Sequence, residues 1–249
     1  MNKILEVVDV SKKYNTVNGE IEAIKDVSLD INKGDFVVIV GNSGCGKSTL
    51  LSILAGLINK TDGEINYYVD NPILGYMLQE DAFFDHMTIL DNVLLGLKVL
   101  KKLDKETINN AKELLKKYDL EKFSQKYPRE LSGGMKQRVA LIRTLAIDPD
   151  IIFLDEPFSA LDYATRLTVS SDVYHIIKES KKTAIMVTHS IDEAVCLADK
   201  VIVLSKSPAV VKNVYDIDLE CKASPIENRN DIKFNYYCDL IRKDLDIIV

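Results

Sequence analysis

The residues from Gly41 to Thr49 form a glycine-rich loop, GNSGCGKST, that fits the pattern GxxxxGK[ST]. Its three glycines let the backbone curl so that successive N–H groups converge on phosphate oxygens. We expect Lys47 to reach the β- and γ-phosphates of a nucleotide and Ser48 to bind Mg²⁺. An ordinary glycine turn is the alternative, but the apolar run before the loop and the helical pattern after it favour phosphate binding. The other positions assigned to ATP are Asn42, Ser43, Gly44, Cys45 and Gly46.

A pair of carboxylates, Asp155 and Glu156, directly follows the apolar run IIFL. A strand that ends in Asp-Glu is unremarkable alone, but beside a phosphate-binding loop it supplies the groups that hydrolysis needs. We expect Asp155 to hold Mg²⁺, mostly through the water shell of the ion. Glu156 is the candidate general base that polarises the attacking water.

A third motif places a serine and two glycines at the start of a predicted helix. Such a start offers backbone N–H groups to an anion, and the alternative is a capped helix after a Gly-Gly turn. The motif resembles the signature sequence of ABC ATPases. In that family it covers the γ-phosphate bound to the opposite subunit and closes a head-to-tail dimer. Its residues here are Leu131, Ser132, Gly133, Gly134 and Met135.

Further matches to the ABC family follow in the order of its motifs. Gln79 resembles the Q-loop glutamine that senses Mg²⁺ and the transmembrane partner, and His189 resembles the switch histidine that contacts the γ-phosphate. Tyr14 is similar to the aromatic residue that stacks on adenine, although simple packing is an alternative. The D-loop of the family is matched by Ser159, Ala160, Leu161 and Asp162.

These motifs lie on short apolar runs that alternate with longer amphipathic stretches, a pattern typical of an α/β fold. The resemblance implies a P-loop NTPase of ABC type, with a mostly parallel core sheet, an N-terminal antiparallel β lobe and an inserted helical lobe. We expect a single nucleotide-binding domain over residues 1–249. Residues from about 90 to 150 would form the inserted lobe with the signature motif, and those from about 200 to 249 a finishing strand and helices.

Two segments carry more specific structural expectations. The interval from Lys47 to Gln79 is short for the family, so we expect a trimmed β lobe. The stretch from Glu227 to Val249 mixes charged with apolar residues and predicts one packed amphipathic helix.

The composition limits where the protein works. The net charge of −6 argues against a nucleic-acid partner. We find neither a run of about 20 apolar residues nor a secretory leader pattern. The four cysteines have no CxxC spacing, which favours a reduced, cytoplasmic protein. We therefore expect a peripheral protein on the cytoplasmic face of the membrane, whose membrane part is supplied by other chains.

The segments DEPFSALD and VTHSIDEAV are similar to those in the ATPases of importers for nitrate, taurine, aliphatic sulfonates and vitamin precursors. The resemblance implies an ATP- and Mg²⁺-dependent subunit that pairs with a second copy or a homologue and with transmembrane permease subunits. An extracytoplasmic solute-binding protein would be an indirect partner. The permease would dock near Gln79 and the segment from Phe83 to Asn92, unless Phe83 and Phe84 are core residues.

Two other functions remain open. A soluble ABC ATPase of DNA repair, translation or cluster assembly is one, although such proteins usually carry long insertions, coiled coils or two cassettes. A scaffold that binds ATP without hydrolysing it is the other. It would lack Glu156 or His189, and both are present here.

Overall fold

The computed structural model describes residues 2–17, 19–79, 82–219 and 224–247. The N-terminal part of the chain contains a three-stranded antiparallel sheet in the order β2-β1-β4. The first two strands, β1 (Lys3–Thr16) and β2 (Gly19–Asn32), form a long hairpin, and β4 (Asp62–Tyr67) pairs with β1. The N-terminal antiparallel sheet expected from the sequence is thus confirmed.

A second sheet of six strands has the order β5-β6-β7-β3-β8-β9. All neighbours are parallel except the last pair, in which β9 runs antiparallel to β8. Parallel strands covered on both faces form continuous apolar runs, as FVVIV and TAIMVT do. The strands are β3 (Phe36–Val40), β5 (Leu74–Met77), β6 (Ile151–Asp155), β7 (Thr183–Thr188), β8 (Lys200–Leu204) and β9 (Val211–Asp216).

Alternate residues of the central strands enter two different cores. On one face Phe36 and Leu154 pack among α4 (Gly133–Leu145), α5 (Tyr163–Ser180) and α6 (Ile191–Leu197). On the other face Val37 and Phe153 pack against α1 (Lys47–Leu54) and the antiparallel sheet. The two-residue period of a strand explains this division, since successive side chains point to opposite faces.

Between β5 and β6 the described residues form three α-helices that share a separate hydrophobic core. They are α2 (Ile89–Val99), α3 (Lys105–Lys117) and α4, and they bury residues such as Val93, Leu115 and Ile142 together. Side chains at Thr88, Asp104 and Ser132 cap their starts. Helix α4 also packs on the six-stranded sheet, so it joins this helical segment to the main core.

The C-terminal expectation of one helix from Glu227 onward is wrong in its bounds. A short helix, α7 (Pro225–Asn228), precedes a second, α8 (Phe234–Asp244). Only α8 has an apolar face with helical spacing, formed by Phe234, Cys238 and Ile241. Residues 248 and 249 of the predicted helix lie outside the described residues. In the part of the chain that is described, no helix combines the length and the apolar character needed to cross a membrane.

Candidate functional site

The glycine-rich loop connects the end of β3 to the start of α1 at the carboxyl edge of the six-stranded sheet. Gly46, with φ of +118°, is the residue before the first helical turn. A Cβ at that position would lie 3.0 Å from the carbonyl oxygen of Ala23, so both the φ angle and the space require glycine. Residues 41–45 form the turn with Cys45 buried, and Thr49 lies in the first turn of α1.

Lys47 is only 5% exposed, and its ammonium group lies over its own loop. Nζ donates hydrogen bonds to the carbonyl oxygens of Gly41 and Asn42 at 3.0 and 3.1 Å. Within residues 2–17, 19–79, 82–219 and 224–247, no carboxylate forms an ion pair with Lys47. A buried cation that is partnered only by neutral carbonyls suits an anionic ligand, so the loop fits nucleotide phosphates.

Two of the predicted Mg²⁺ ligands, Ser48 and Asp155, contact each other beside this loop. Ser48 Oγ donates a 2.8 Å hydrogen bond to Asp155 Oδ1. Hydroxyl and carboxylate oxygens are ligands that Mg²⁺ prefers, and Mg²⁺ often takes only one or two of them and leaves the rest to phosphates and water. The described residues contain no group of three or more His, Cys, Asp or Glu side chains that could hold a metal alone. The pair therefore fits Mg²⁺ that arrives with a nucleotide.

Asp155 has a second partner that sequence analysis did not identify. The hydroxyl of Tyr76, on β5, donates a 3.0 Å hydrogen bond to Asp155 Oδ2. Burial raises the pKa of Tyr76 to about 12. The sequence carries no signal for this contact, because Tyr76 stands in an apolar strand like any packing residue.

Glu156 and His189 come together although they follow different strands. Their strands, β6 and β7, are parallel neighbours, so both residues leave the sheet at the same edge. Glu156 Oε2 lies 3.0 Å from His189 Nδ1. Glu156 also has a φ of +44°, which is unusual for a residue with a side chain, and its N–H donates to the carbonyl of Val187. The structure thus places the candidate base beside the candidate switch histidine.

Gln79 is placed beside the D-loop residues rather than beside the metal-binding pair. Its Nε2 lies 3.4 Å from Ser159 Oγ, and that hydroxyl donates to the carbonyl of Glu156 at 3.0 Å. The last D-loop residue, Asp162, caps α5 by accepting a hydrogen bond from the N–H of Thr165. The proposed contact of Gln79 with Mg²⁺ stays a prediction.

The signature residues 131–135 lie at the start of α4, where Ser132 Oγ accepts a 3.4 Å hydrogen bond from the N–H of Met135. Ser132 and Gly133 are exposed, whereas Gly134 is buried against α5. A Cβ added at Gly133 would lie 3.3 Å from Leu161 Cδ2 of the D-loop. Among the described residues, no hydrogen bond or ion pair joins this helix start to the glycine loop of the same chain.

Tyr14 lies near the end of β1, opposite Ile21 of β2. Strand β2 of this hairpin approaches the glycine loop at Ala23. Tyr14 is 37% exposed, and the centroid of its ring is 4.9 Å from Lys12 Nζ. The ring is therefore partly free to contact a ligand, and its adenine role stays a prediction.

The expected docking of the permease near Gln79 and the segment from Phe83 to Asn92 stays a prediction. Ile89 and Asn92 are fully buried in the helical segment, and Asn92 Oδ1 accepts a 2.9 Å hydrogen bond from the N–H of Phe84. Phe83 is partly buried and packs against the core under α4, α5 and α6 and against the separate core of the helical segment, whereas Phe84 is 46% exposed. A groove with a volume of about 640 Å³ lies close by, lined instead by β5, the later part of α2 and Arg143. Glu80 and Asp81 lie outside the described residues.

A second feature missed from the sequence is a buried polar connection between the D-loop and the strand end before His189. Arg166 donates a 2.9 Å hydrogen bond to the carbonyl of Leu161, and its Nε lies 3.8 Å from Glu193 Oε1. Glu193 Oε2 accepts a 2.8 Å hydrogen bond from Thr188. Burial raises the pKa of the Glu193 carboxyl. Through Arg166 and Glu193, this connection links the D-loop to the end of β7.

Known proteins match this chain over most of its length. The family model described as ABC transporter matches residues 24–159. An uncharacterized ABC transporter ATP-binding protein of Bacillus subtilis, YtlC, is 41% identical over 248 residues, which cover 97% of this chain and 95% of that protein. The taurine import ATP-binding protein TauB of Jannaschia sp. is 40% identical over 217 residues, 85% of this chain and 81% of that protein. The aliphatic sulfonates import ATP-binding protein SsuB of Bacillus cereus is 36% identical over 219 residues, 85% of each.

Solved structures agree with these relatives. The dimeric structure of MJ0796, a bacterial ABC transporter cassette, superposes with a TM-score of 0.73 at 32% identity over 86% of this chain and 99% of that one. A post-hydrolysis dimer of the same cassette, bound to ADP and Pi, gives a TM-score of 0.72 at 31% identity over the same shares. The chain belongs to the ABC transporter family as an ATP-binding subunit related to importer ATPases.

Proposed function

We propose that this chain hydrolyses ATP to drive a membrane importer for a small solute. The observation that carries this proposal is the convergence of three groups at one sheet edge. Lys47 lies over the glycine loop, Ser48 bonds to Asp155, and Glu156 bonds to His189. Together they supply a phosphate cradle, oxygen ligands for Mg²⁺ and a base with its orienting partner, which are the parts that phosphoryl transfer to water requires.

The chemistry follows from the positions of these side chains. The loop amides and Lys47 would hold the β- and γ-phosphates, and Ser48 and Asp155 would hold Mg²⁺, which neutralises charge on the phosphates when bound. Glu156 would accept the proton of the attacking water. Because His189 contacts Glu156 through Nδ1, its other ring nitrogen stays available to the γ-phosphate.

A second copy would complete each site. Ser132 and Gly133 are exposed at the start of α4 and bond to nothing in the glycine loop of the same chain among the described residues. Their N–H groups suit the γ-phosphate held by another copy. Head-to-tail pairing is supported by the likeness to the dimeric cassettes of MJ0796. Closing and opening of this pair would transmit the energy of hydrolysis to the permease.

The groove beside β5 and α2 is the proposed contact with the transmembrane subunits at the cytoplasmic face of the membrane. It presents exposed apolar side chains, including Leu78, Val99 and Leu100, beside Arg143. The relatives named for sulfonate and taurine import support a small solute such as a sulfonate or taurine. An extracytoplasmic binding protein that delivers this solute is part of the same proposal.

The substitution Glu156→Gln tests the hydrolytic part. It removes the base while keeping the shape, so we expect ATP binding to persist and turnover to fall by about 10²- to 10⁴-fold. Glu106→Gln, on the exposed start of α3, is the matched control and should hydrolyse ATP normally. Turnover of Glu156→Gln close to that of the parent chain would overturn the assignment of the base.

The transport part is tested by purifying tagged Glu156→Gln protein from detergent-solubilised membranes of its native host with ATP and Mg²⁺. We expect a polytopic membrane protein in stoichiometric amount. Val99→Lys in the groove should lower its recovery, whereas Val17→Lys at the tip of the β1–β2 hairpin should not, although both side chains are exposed. Recovery of nucleic acid or assembly factors without a membrane protein would instead support a soluble ABC ATPase.

A further inference from the structure

Tyr76 lies on β5, and its side chain reaches the carboxylate of Asp155 at the end of the neighbouring strand β6. Strands β5 and β6 are parallel, and Tyr76 lies opposite Phe153, with the two rings stacked at a centroid distance of 6.4 Å. The side chain therefore runs along the sheet face toward Asp155. Its hydroxyl is 3.0 Å from Asp155 Oδ2 and 3.3 Å from Ser52 Oγ.

The contact leaves neither oxygen of the Asp155 carboxylate without a partner. Ser48 donates to Oδ1 at 2.8 Å, and Tyr76 donates to Oδ2 at 3.0 Å. Two hydrogen bonds on opposite oxygens fix the plane of a carboxylate, whereas one would allow it to rotate. Asp155 is only 8% exposed, so water has little access to take the place of the tyrosine hydroxyl.

We propose that Tyr76 is a positioning residue for the Mg²⁺-nucleotide complex. It holds Oδ2 so that Oδ1 and Ser48 keep a single arrangement toward the ion. This inference rests on the proposed function, since it assigns Mg²⁺ to Ser48 and Asp155. It follows that removal of the hydroxyl weakens the binding of Mg²⁺ to the nucleotide complex. Nucleotide binding without Mg²⁺ stays intact, because Lys47 and the loop amides are unchanged.

The test uses Tyr76→Phe in the full chain, which keeps the ring stacked on Phe153. A fluorescent ADP analogue is titrated in a series of Mg²⁺ concentrations and in EDTA. A hydrogen bond to a charged group affects equilibria by about ten-fold or more, so we expect the half-saturating Mg²⁺ concentration to rise by about ten-fold. The affinity measured in EDTA should equal that of the parent chain.

Tyr67→Phe is the matched control. Tyr67 also lies on a strand next to α1, and its half-buried hydroxyl donates to the carbonyl of Leu54, away from Asp155. This variant should leave the Mg²⁺ midpoint unchanged. In an Asp155→Ala background, Tyr76→Phe should cause no further shift, because the tyrosine acts only through the carboxylate.

Three results would overturn the proposal. These are an unchanged Mg²⁺ midpoint in Tyr76→Phe, an equal shift in Tyr67→Phe, and an equal loss of affinity with and without Mg²⁺. Failure here is distinct from failure of the proposed function. A normal Tyr76→Phe together with a slow Glu156→Gln would reject only the positioning role. A shifted Mg²⁺ midpoint together with a normally active Glu156→Gln would reject only the assigned base.

Discussion

Asn92 is the residue whose replacement should most clearly destabilise the segment that precedes α2. Its side chain is fully buried and bonds to the backbone of residues 84–88. Oδ1 accepts from the N–H of Phe84 at 2.9 Å, and Nδ2 donates to the carbonyls of Phe84, Met87 and Thr88 at 3.2, 3.2 and 2.9 Å. One amide group thus holds a whole turn of irregular backbone.

The expected magnitude follows from these bonds. Nδ2 has two hydrogens for three carbonyls, so the amide supplies about three full hydrogen bonds. At about 1 kcal/mol each, Asn92→Ala should lower the free energy of unfolding by about 3 kcal/mol. Asn92→Asp keeps the acceptor for Phe84 but turns a second oxygen toward three carbonyl oxygens. At neutral pH, Asn92→Asp should lower the free energy of unfolding more than Asn92→Ala does. In acid the loss should become smaller, because the protonated carboxyl can donate a hydrogen bond.

Urea unfolding followed by circular dichroism measures this loss. Asn110→Ala, on the exposed face of α3 in the same helical segment, is the control and should change the free energy of unfolding by no more than about 0.5 kcal/mol. A loss below about 1 kcal/mol in Asn92→Ala would refute the reasoning, because it would show that the backbone of residues 84–88 finds other partners.

Three more outcomes are expected. In Gly134→Ala the new Cβ would lie 2.9 Å from Val169 Cγ2. Urea unfolding should therefore show that the free energy of unfolding falls by about 1–2 kcal/mol, and Val169→Ala should partly reverse this loss. If the effects of the two substitutions are simply additive, the clash is contradicted. Burial raises the pKa of the Glu193 carboxyl, so its contribution to stability is complete below the ordinary glutamate pKa and declines as the pH rises above it. The urea midpoint of Glu193→Gln should therefore rise relative to the parent chain as the pH increases above the ordinary glutamate pKa, and a constant difference would refute this. Burial raises the pKa of Cys196 and Cys238 to about 12, so iodoacetamide at pH 8 should label neither in the native protein by mass spectrometry, whereas urea should expose both.

The sequence by itself determined the parts of the site that are local in the chain. The glycine loop combines its phosphate-binding residues with the strand before it and the helix after it within a few residues. The capped helix start at Ser132 is likewise a short-range feature. Such patterns can be recognised because the chemistry and the geometry that positions it are encoded side by side.

Strand order could also be anticipated in part, since apolar runs that end in Asp155-Glu156 and in His189 belong at one edge of a parallel sheet. The resemblance to ABC ATPases supplied the roles of these residues. The C-terminal segment was less predictable, because its mixed composition suits one long helix as well as the two that form.

Only the tertiary structure decided which side chains complete the site. Tyr76 and Asp155 are 79 residues apart in the chain, and their contact depends on β5 lying beside β6. The pairing of Arg166 with Glu193 depends in the same way on the packing of α5 near α6. A tyrosine in an apolar strand or a glutamate in a helix has the same local pattern whether it packs, is solvated or holds a catalytic group. The difference lies in its neighbours, and these are set by folding of the whole chain.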